Sequence, residues 1–269
     1  MFRKLNLPLQ LLKPLFVSLL VLVVYFYGLG NEEIPKNGDE YVYAHITRLT
    51  AESGHLLPLQ SELHQMRNTK PPLLFWQGMA STRGGESWTL WHLRWPNVVY
   101  SLMTALLAGV VAWRITRKAE TAYLAGLIYL GFFSTYRFGR PFLTNAPEVF
   151  WLFVPFALLL IGGNKAFESR WRMPILLGVV IGMGLLYKSF AMLAPVGVVL
   201  ACWYLHERRY QLVDFIKFDL PRLILLGLVA LGLFGLWFVF DPDPASVWRE
   251  FVVGENAQKF DPQGGSYFR

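Results

Sequence analysis

Residues 220–240 read LPRLILLGLVALGLFGLWFVF, an apolar run with one charged residue, Arg222. A helix that rises about 1.5 Å per residue needs about 20 such residues to cross the hydrocarbon core of a bilayer, which is roughly 30 Å thick. Backbone groups inside lipid must also be hydrogen-bonded within the protein, and a helix achieves this by itself. The run therefore predicts a transmembrane helix.

Similar runs recur along the 269 residues and together predict an all-α, polytopic transmembrane helical bundle with amphipathic helices on its outer face. The first run is too long for a signal-peptide core, and Tyr25, Phe26 and Tyr27 stand where a cleavage site needs small residues, so we expect an uncleaved anchor. The predicted spans are residues 11–30, 95–113, 121–136, 146–162, 174–187, 190–205 and 220–240.

The composition excludes a water-soluble globular protein. Hydrophobic residues make up 54% of the chain and charged residues only 16%, and the mean hydropathy is +0.38. The net charge of +7 indicates membrane orientation rather than nucleic-acid binding, because the basic residues lie between apolar runs instead of on one polar face. The single cysteine, Cys202, excludes an intrachain disulfide.

Short basic connections fall on alternate sides of successive spans. Cytoplasmic connections carry an excess of Lys and Arg, so we expect these connections and the N-terminus to be cytoplasmic. The basic residues concerned are Arg3, Lys4, Lys13, Arg114, Arg117, Lys118, Lys165, Arg170, Arg172, Arg208, Arg209, Lys217 and Arg222. The segments then expected outside are residues 31–94, 137–145, the turn at Lys188 and residues 241–269.

The long outer connection 31–94 carries two adjacent carboxylates, Asp39 and Glu40, at the start of a helical pattern. In this pattern the apolar face is Val42, Ile46 and Leu49, and the polar face is Tyr41, His45, Arg48 and Glu52. The pattern predicts a short amphipathic helix that lies on the bilayer and ends at Gly54. Two roles remain open for the carboxylates, which are chemistry and capping of the helix, the latter as a box with Asn37.

Four cations lie on the same predicted side. Lys70 precedes two prolines that impose an extended entry to the membrane. Arg137, Arg140 and Lys188 lie at turns between arms too short to cross the whole core, which predicts a depth near the lipid phosphates. A cation at that depth is costly without a partner, so these residues are candidates for anion binding; the alternative is a side chain that snorkels to lipid headgroups.

Four motifs in this order resemble those of the C-type membrane glycosyltransferases that use a polyprenyl-phosphate sugar, a group related to protein O-mannosyltransferases and lipid A aminoarabinose transferases. The motifs are Gly38-Asp39-Glu40-Tyr41 with Glu52-Ser53-Gly54-His55, Lys70-Pro71-Pro72-Leu73-Leu74-Phe75-Trp76, Leu186-Tyr187-Lys188, and residues 251–260 with Glu255, Asn256 and Lys259. The resemblance implies an active site on the outer face of a bacterial inner membrane and an acceptor that is a lipid, a glycan or a protein.

The resemblance implies a role for each matching residue. Asp39 matches the catalytic acidic residue and Glu40 its neighbour, and Lys70 and Lys188 match ligands of the donor phosphate. The remaining candidates are Arg137 and Arg140 for the phosphate and Tyr41, Glu148 and Glu255 for substrate. A divalent metal ion held by Asp39 and Glu40 is compatible with this group, but two adjacent carboxylates are a weak metal signal.

The chain departs from the group at three positions. Thr69 stands where many relatives carry Glu, and Asn256 stands where His is frequent. Asn145 stands where many relatives carry Asp, and Glu148 is a candidate substitute for that Asp. The group also runs to roughly twice this length, so we expect the chain to be an N-terminal portion.

The chemistry of this donor needs cations more than a general acid, because the leaving phosphate is already a weak base. Asp39 is the candidate base that takes the proton of the acceptor, and one direct displacement inverts the anomeric carbon. Two other function classes remain open, which are a transporter or lipid flippase and a truncated, non-catalytic relative. A conduction path would place charges at mid-span, and here the strong charges lie at the tips.

Overall fold

The computed structural model describes residues 9–32, 38–63 and 66–257, which form helices and connecting turns without a β-strand among them. The α-helices are α1 (Leu9–Phe26), α2 (Gly38–Glu52), α3 (Leu73–Ser81), α4 (Leu90–Thr116), α5 (Ala119–Gly131), α6 (Phe133–Gly139), α7 (Asn145–Gly162), α8 (Asn164–Glu168), α9 (Arg172–Leu185), α10 (Leu193–Glu207), α11 (Leu212–Asp214), α12 (Leu220–Phe240) and α13 (Pro244–Val247). A 3₁₀ turn (Phe190–Met192) precedes α10, and π-helical turns follow α11 (Phe215–Asp219) and α13 (Trp248–Ala257).

Helices lie at all seven predicted spans, and the all-α, polytopic membrane class is confirmed. Within the described residues, four helical segments are long and apolar enough to cross a membrane, namely Leu90–Thr116, Asn145–Gly162, Phe190–Glu207 and Leu212–Phe240. Two shorter apolar helices, Leu12–Phe26 and Arg172–Leu185, lie at the predicted first and fifth spans.

The predicted span 121–136 is not one continuous helix. Helix α5 ends at Gly131, and Phe132 is extended, with φ −66° and ψ 130°, before α6 begins. Helix α5 packs closely on α4, because a Cβ at Gly109 would lie 2.9 Å from the carbonyl oxygen of Ala122. Glycine at such a contact lets two helix backbones approach.

The largest apolar core lies between α9 and α12. Gly178 and Gly182 present no side chain to α12, and a Cβ at Gly178 would lie 2.8 Å from the carbonyl oxygen of Leu226. The buried residues of this core include Leu177, Ile181, Leu185, Leu200, Leu226, Ala230, Phe234 and Trp237.

The buried face of helix α2 differs from the predicted apolar face. Ile46 is buried, but Val42 and Leu49 are only half-buried, and the buried side also includes Glu40 and Tyr43. The rotation follows from packing, because α2 lies against α3, where the ring centroids of Tyr43 and Phe75 are 6.1 Å apart. The helix is thus held by protein contacts that hydropathy alone does not predict.

The predicted basic connections meet at one end of the bundle, which we call the basic end. There the buried Asp219 accepts hydrogen bonds from Arg208 at 2.7 Å and from Arg222 at 2.8 Å. Arg222 also donates to the carbonyl of Phe167, and Arg114 to that of Ile161. Arg3 and Lys4 lie outside the described residues.

The opposite end, which we call the site end, gathers the segments predicted to face outward. It comprises α2, α3, residues 140–144, residues 186–189 and residues 241–257, the last of which we call the tail segment.

Candidate functional site

An ion pair between Glu40 and Arg94 anchors the first turn of α2. Arg94 Nε lies 2.6 Å from Glu40 Oε1, Arg94 Nη2 lies 2.9 Å from Oε2, and both side chains are buried. Arg94 also donates to the carbonyls of Leu29 and Asn31, at 3.0 and 2.7 Å. The backbone N–H of Phe142 donates to Glu40 at 2.7 Å. The pair therefore joins α2, α4, the turn after α1 and the 140–144 turn.

These contacts hold Glu40, a predicted catalytic residue, inside the protein. Both carboxylate oxygens accept strong hydrogen bonds inside the protein, and Arg94 already balances the charge. A metal ion shared by Asp39 and Glu40 does not fit this arrangement, because it would compete with the guanidinium of Arg94. No group of three or more His, Cys, Asp or Glu suited to a metal occurs within the part of the chain that the structure describes. Asn37, the partner in the predicted capping box, lies outside that part.

Asp39 lies one residue earlier and has the opposite environment, because it is exposed. Burial raises the pKa of the Tyr43 hydroxyl, and the negative charges of Asp39 and Glu255 raise it further. Both carboxylates thus act on the same tyrosine, one from α2 and the other from the tail segment.

Lys70 is held at the junction of two segments. Its ammonium forms an ion pair with Glu255 of the tail segment and donates to the carbonyl of Thr69 at 3.0 Å. The two prolines that follow are buried, and the N–H of Leu73 donates to the carbonyl of Leu186 at 3.3 Å. The predicted Lys-Pro-Pro motif therefore contacts both the tail segment and the 186–189 turn.

Lys188, on the 186–189 turn, also contacts one carboxylate and one neutral oxygen. Its Nζ lies 3.4 Å from Glu148 Oε2, in the first turn of α7, and 3.4 Å from Thr144 Oγ1. The next residue, Ser189, donates to Asn256 Oδ1 at 2.7 Å. The 186–189 turn therefore contacts Glu148 through Lys188 and the tail segment through Ser189. The tail segment in turn carries Glu255, the partner of Lys70.

The tail segment docks on the residues that precede Lys70. Arg67 Nη2 lies 2.6 Å from Asp243 Oδ2, and the N–H of Asn68 donates to Glu250 Oε2 at 3.0 Å. The N–H of Ser246 and the charge of Arg67 hold the pKa of Asp243 below its usual value. These contacts fix the base of the segment that carries Glu255. Lys259 lies outside the described residues.

Arg140, a predicted phosphate ligand, is engaged by protein groups in this structure. It is buried, and it donates to the carbonyl of Tyr25 at 3.1 Å, to the carbonyl of Tyr27 and to the hydroxyl of Tyr136 at 2.6 Å. All three guanidinium nitrogens therefore have protein partners, and the residue fixes the end of α1 to α6.

The structure does not bring Arg137 or Tyr41 into the cluster of lysines and carboxylates. Arg137 is exposed and lies over the rings of Phe133 and Phe138, 5.9 and 5.4 Å from their centroids. Tyr41 is 49% exposed, on the polar face of α2.

Two features of the site are absent from the sequence prediction. Arg94, the partner of Glu40, is a charged residue at the start of a span, and such a residue needs a partner. That rule gives a signal for Arg94 but does not name Glu40. The hydroxyl of Tyr187 donates to Gln77 at 2.9 Å and lies 3.0 Å from the hydroxyl of Tyr100. This network positions the turn before Lys188, and no spacing in the sequence indicates it.

The fold and the site define a class. The chain is a polytopic helical membrane protein with a cluster at one end in which two lysines face carboxylates from separate segments, close to an exposed carboxylate at a helix N-terminus. It belongs to the dolichyl-phosphate-mannose-protein mannosyltransferase family, whose model matches residues 15–243.

Curated relatives share this region. The chain is 27% identical over 251 residues to an undecaprenyl phosphate-alpha-4-amino-4-deoxy-L-arabinose arabinosyl transferase of Aeromonas salmonicida (strain A449), covering 92% of this chain and 43% of that protein. A transferase of the same name from Yersinia pestis (strain Pestoides F) is 28% identical over 261 residues, covering 93% of this chain and 45% of that protein. The chain thus spans less than half the length of these relatives. No solved structure matches it.

Proposed function

We propose that the protein transfers a sugar from a polyprenyl-phosphate-linked donor to an acceptor on the outer face of a bacterial inner membrane. One observation carries the proposal. Lys70 and Lys188, the two cations that match donor-phosphate ligands, lie on segments that contact each other through Leu73 and Leu186. The family model and the names of the bacterial relatives support the same class of donor.

In the proposed reaction the phosphate of the donor binds to both Lys70 and Lys188. As the sugar leaves, the bond from the anomeric carbon to the phosphate oxygen breaks, and its electron pair stays on the phosphate. Lys70 and Lys188 stabilise this charge, and charge-assisted hydrogen bonds to phosphate are among the strong ones. No proton donor is needed for a leaving group that is already a weak base.

Asp39 serves the other partner in the reaction. The acceptor hydroxyl or amine attacks the anomeric carbon, a new bond to the sugar forms, and the proton passes to the Asp39 carboxylate. Asp39 is exposed, so an acceptor can reach it, whereas Glu40 is closed off by Arg94. A single displacement of this kind inverts the anomeric configuration.

The identity of the sugar is a finer question. The relatives are named for an amino-arabinose donor and the family for a mannose donor. Both sugars are linked to a polyprenyl phosphate, and the phosphate is the group that the paired lysines can bind. The proposal therefore covers a pentosyl or hexosyl donor of this type.

The placement of charge does not favour a transporter. In the described spanning helices the charged residues lie within about two turns of a helix end, as with Arg94 and Arg114 in α4 and Arg222 in α12. Transport paths for charged substrates carry ionisable groups near the midplane.

Transfer by the full-length protein tests the proposal. Membranes that contain it are incubated with a radiolabelled polyprenyl-phosphate sugar or with the matching nucleotide sugar. We expect label to leave the lipid, and polyprenyl phosphate to appear, only with the lipid-linked donor. Movement of intact donor between leaflets without cleavage would contradict the proposal and indicate a flippase.

A further inference from the structure

Both candidate phosphate ligands are engaged by carboxylates in this structure. Lys70 is paired with Glu255, and Lys188 lies 3.4 Å from Glu148. All four side chains are partly exposed to solvent. The exposed fraction is 13% for Lys70 and 28% for Glu255, and it is 32% for Lys188 and 15% for Glu148. A donor phosphate that binds these ammonium groups therefore competes with both carboxylates.

Each lysine also has a second, neutral contact that does not depend on its carboxylate. Lys70 donates to the carbonyl of Thr69 at 3.0 Å, and Lys188 lies 3.4 Å from the hydroxyl of Thr144. Thr144 is buried and fixed in its turn. These contacts keep each ammonium group in place when the carboxylate is exchanged for another anion.

The reaction changes the charge that the lysines meet. In the donor the phosphate is a diester with one negative charge, whereas the released polyprenyl phosphate is a monoester with about 1.5 to 2 negative charges at neutral pH. Two lysines without competing anions would hold the product more tightly than the donor and would slow its release.

We propose that Glu148 and Glu255 are positioning residues that pair with Lys188 and Lys70, respectively, in the empty site. Each carboxylate releases its lysine when the donor phosphate binds and pairs with it again as polyprenyl phosphate leaves. This inference rests on the proposed function. Both glutamates are candidates for substrate binding. Here they instead compete with the substrate phosphate for Lys188 and Lys70. By that competition the carboxylates set the affinity of the site for the lipid phosphate.

Binding of undecaprenyl monophosphate to the purified full-length protein tests the inference. Glu148→Gln and Glu255→Gln remove one competing charge each, and we expect each to tighten binding by about three- to tenfold. The maximal rate of transfer should fall as product release slows. The control Glu86→Gln, in the exposed turn between α3 and α4, should leave the affinity unchanged.

A double-mutant cycle makes the test specific. Because Glu255 acts through Lys70, Glu255→Gln should have no effect on affinity in a Lys70→Gln background. Unchanged or weaker binding in both glutamine variants would overturn the inference, as would the failure of both to fold, because the pairs would then be structural. If the wild-type protein neither binds the monophosphate nor transfers sugar, the proposed function itself fails.

Discussion

Asp39 and Glu40 show at the scale of single residues why adjacent identical charges can have different roles. Helical geometry turns neighbouring side chains about 100° apart, so one of the two carboxylates faces Arg94 and Phe142 while the other stays exposed. The sequence predicts that acidic residues begin this helix. It does not predict which of them is buried, since the partner is 54 residues away.

We expect Asp39→Asn to abolish transfer while abundance and detergent behaviour stay near those of the wild type. Removal of a positioned base typically costs about 10²- to 10⁴-fold in rate. The rate is measured at matched membrane abundance, with Glu86→Gln as the control. Retention of more than about a tenth of the wild-type rate would return Asp39 to a helix-capping role.

For the buried pair the expected effect is on stability. Glu40→Gln and Arg94→Met each leave a buried charge without its partner, which costs about 3–5 kcal/mol. Thermal unfolding in detergent measures the loss, and the double variant should lose less than the sum of the single variants. Normal stability of both single variants, together with lost transfer in Glu40→Gln, would restore the catalytic role of Glu40.

At Lys188 the prediction concerns donor use. Lys188→Ala should weaken it by about tenfold or more, since charge-assisted bonds contribute about 1.5–3 kcal/mol, and Lys188→Arg should retain part of it. The dependence of rate on donor concentration is measured for both variants. An unchanged half-saturation point and maximal rate for Lys188→Ala would favour the alternative of a lysine that snorkels to headgroups.

At the scale of helices, the sequence predicts where spans occur better than how they pack. A helix lies at each predicted apolar run, because the bilayer imposes length and hydrophobicity on the sequence. The break at Phe132 and the rotation of α2 toward Tyr43 depend instead on neighbouring helices. Hydropathy carries no information about such neighbours.

The contact between α9 and α12 gives a prediction at this scale. A Cβ at Gly178 would lie 2.7 Å from Val229 Cβ and 2.8 Å from the carbonyl oxygen of Leu226, so Gly178→Ala should force the helices apart. Overpacking of this kind costs about 1–3 kcal/mol. The matched control is Gly227→Ala in α12, where no atom lies within 4 Å of the added Cβ. Equal unfolding temperatures for the two variants would contradict the packing described for this core.

For the whole molecule, the sequence groups segments that contact one another at the site end, but it does not predict which residues meet there. The alternation of basic connections groups 31–94, the 137–145 tip, the Lys188 turn and the tail on one side. The pair Lys70 and Glu255 is separated by 185 residues, and Ser189 and Asn256 by 67. Such pairs depend on the order and tilt of helices within the bundle, which alternation does not specify. Arg140 lies at the same end, and its guanidinium contacts Tyr25, Tyr27 and Tyr136 within the fold.

Orientation in the membrane is a prediction for the whole chain. In a Cys202→Ser background, a cysteine at Ser61 should react with an impermeant reagent in intact cells, and a cysteine at Lys118 should react only after the cells are opened. The reason is that basic connections stay in the cytoplasm. Labelling at Lys118 without labelling at Ser61 would reverse the orientation and move the proposed site to the cytoplasmic face.

The most direct test of a donor-phosphate site between Lys70 and Lys188 is an experimental structure of the full-length protein with undecaprenyl phosphate bound. We expect the phosphate within hydrogen-bond distance of both ammonium groups, with Glu148 and Glu255 turned away and Asp39 facing the open side. A phosphate bound at the basic end, beside Arg208 and Arg222, or at any position that leaves both lysine–carboxylate pairs closed, would contradict the account.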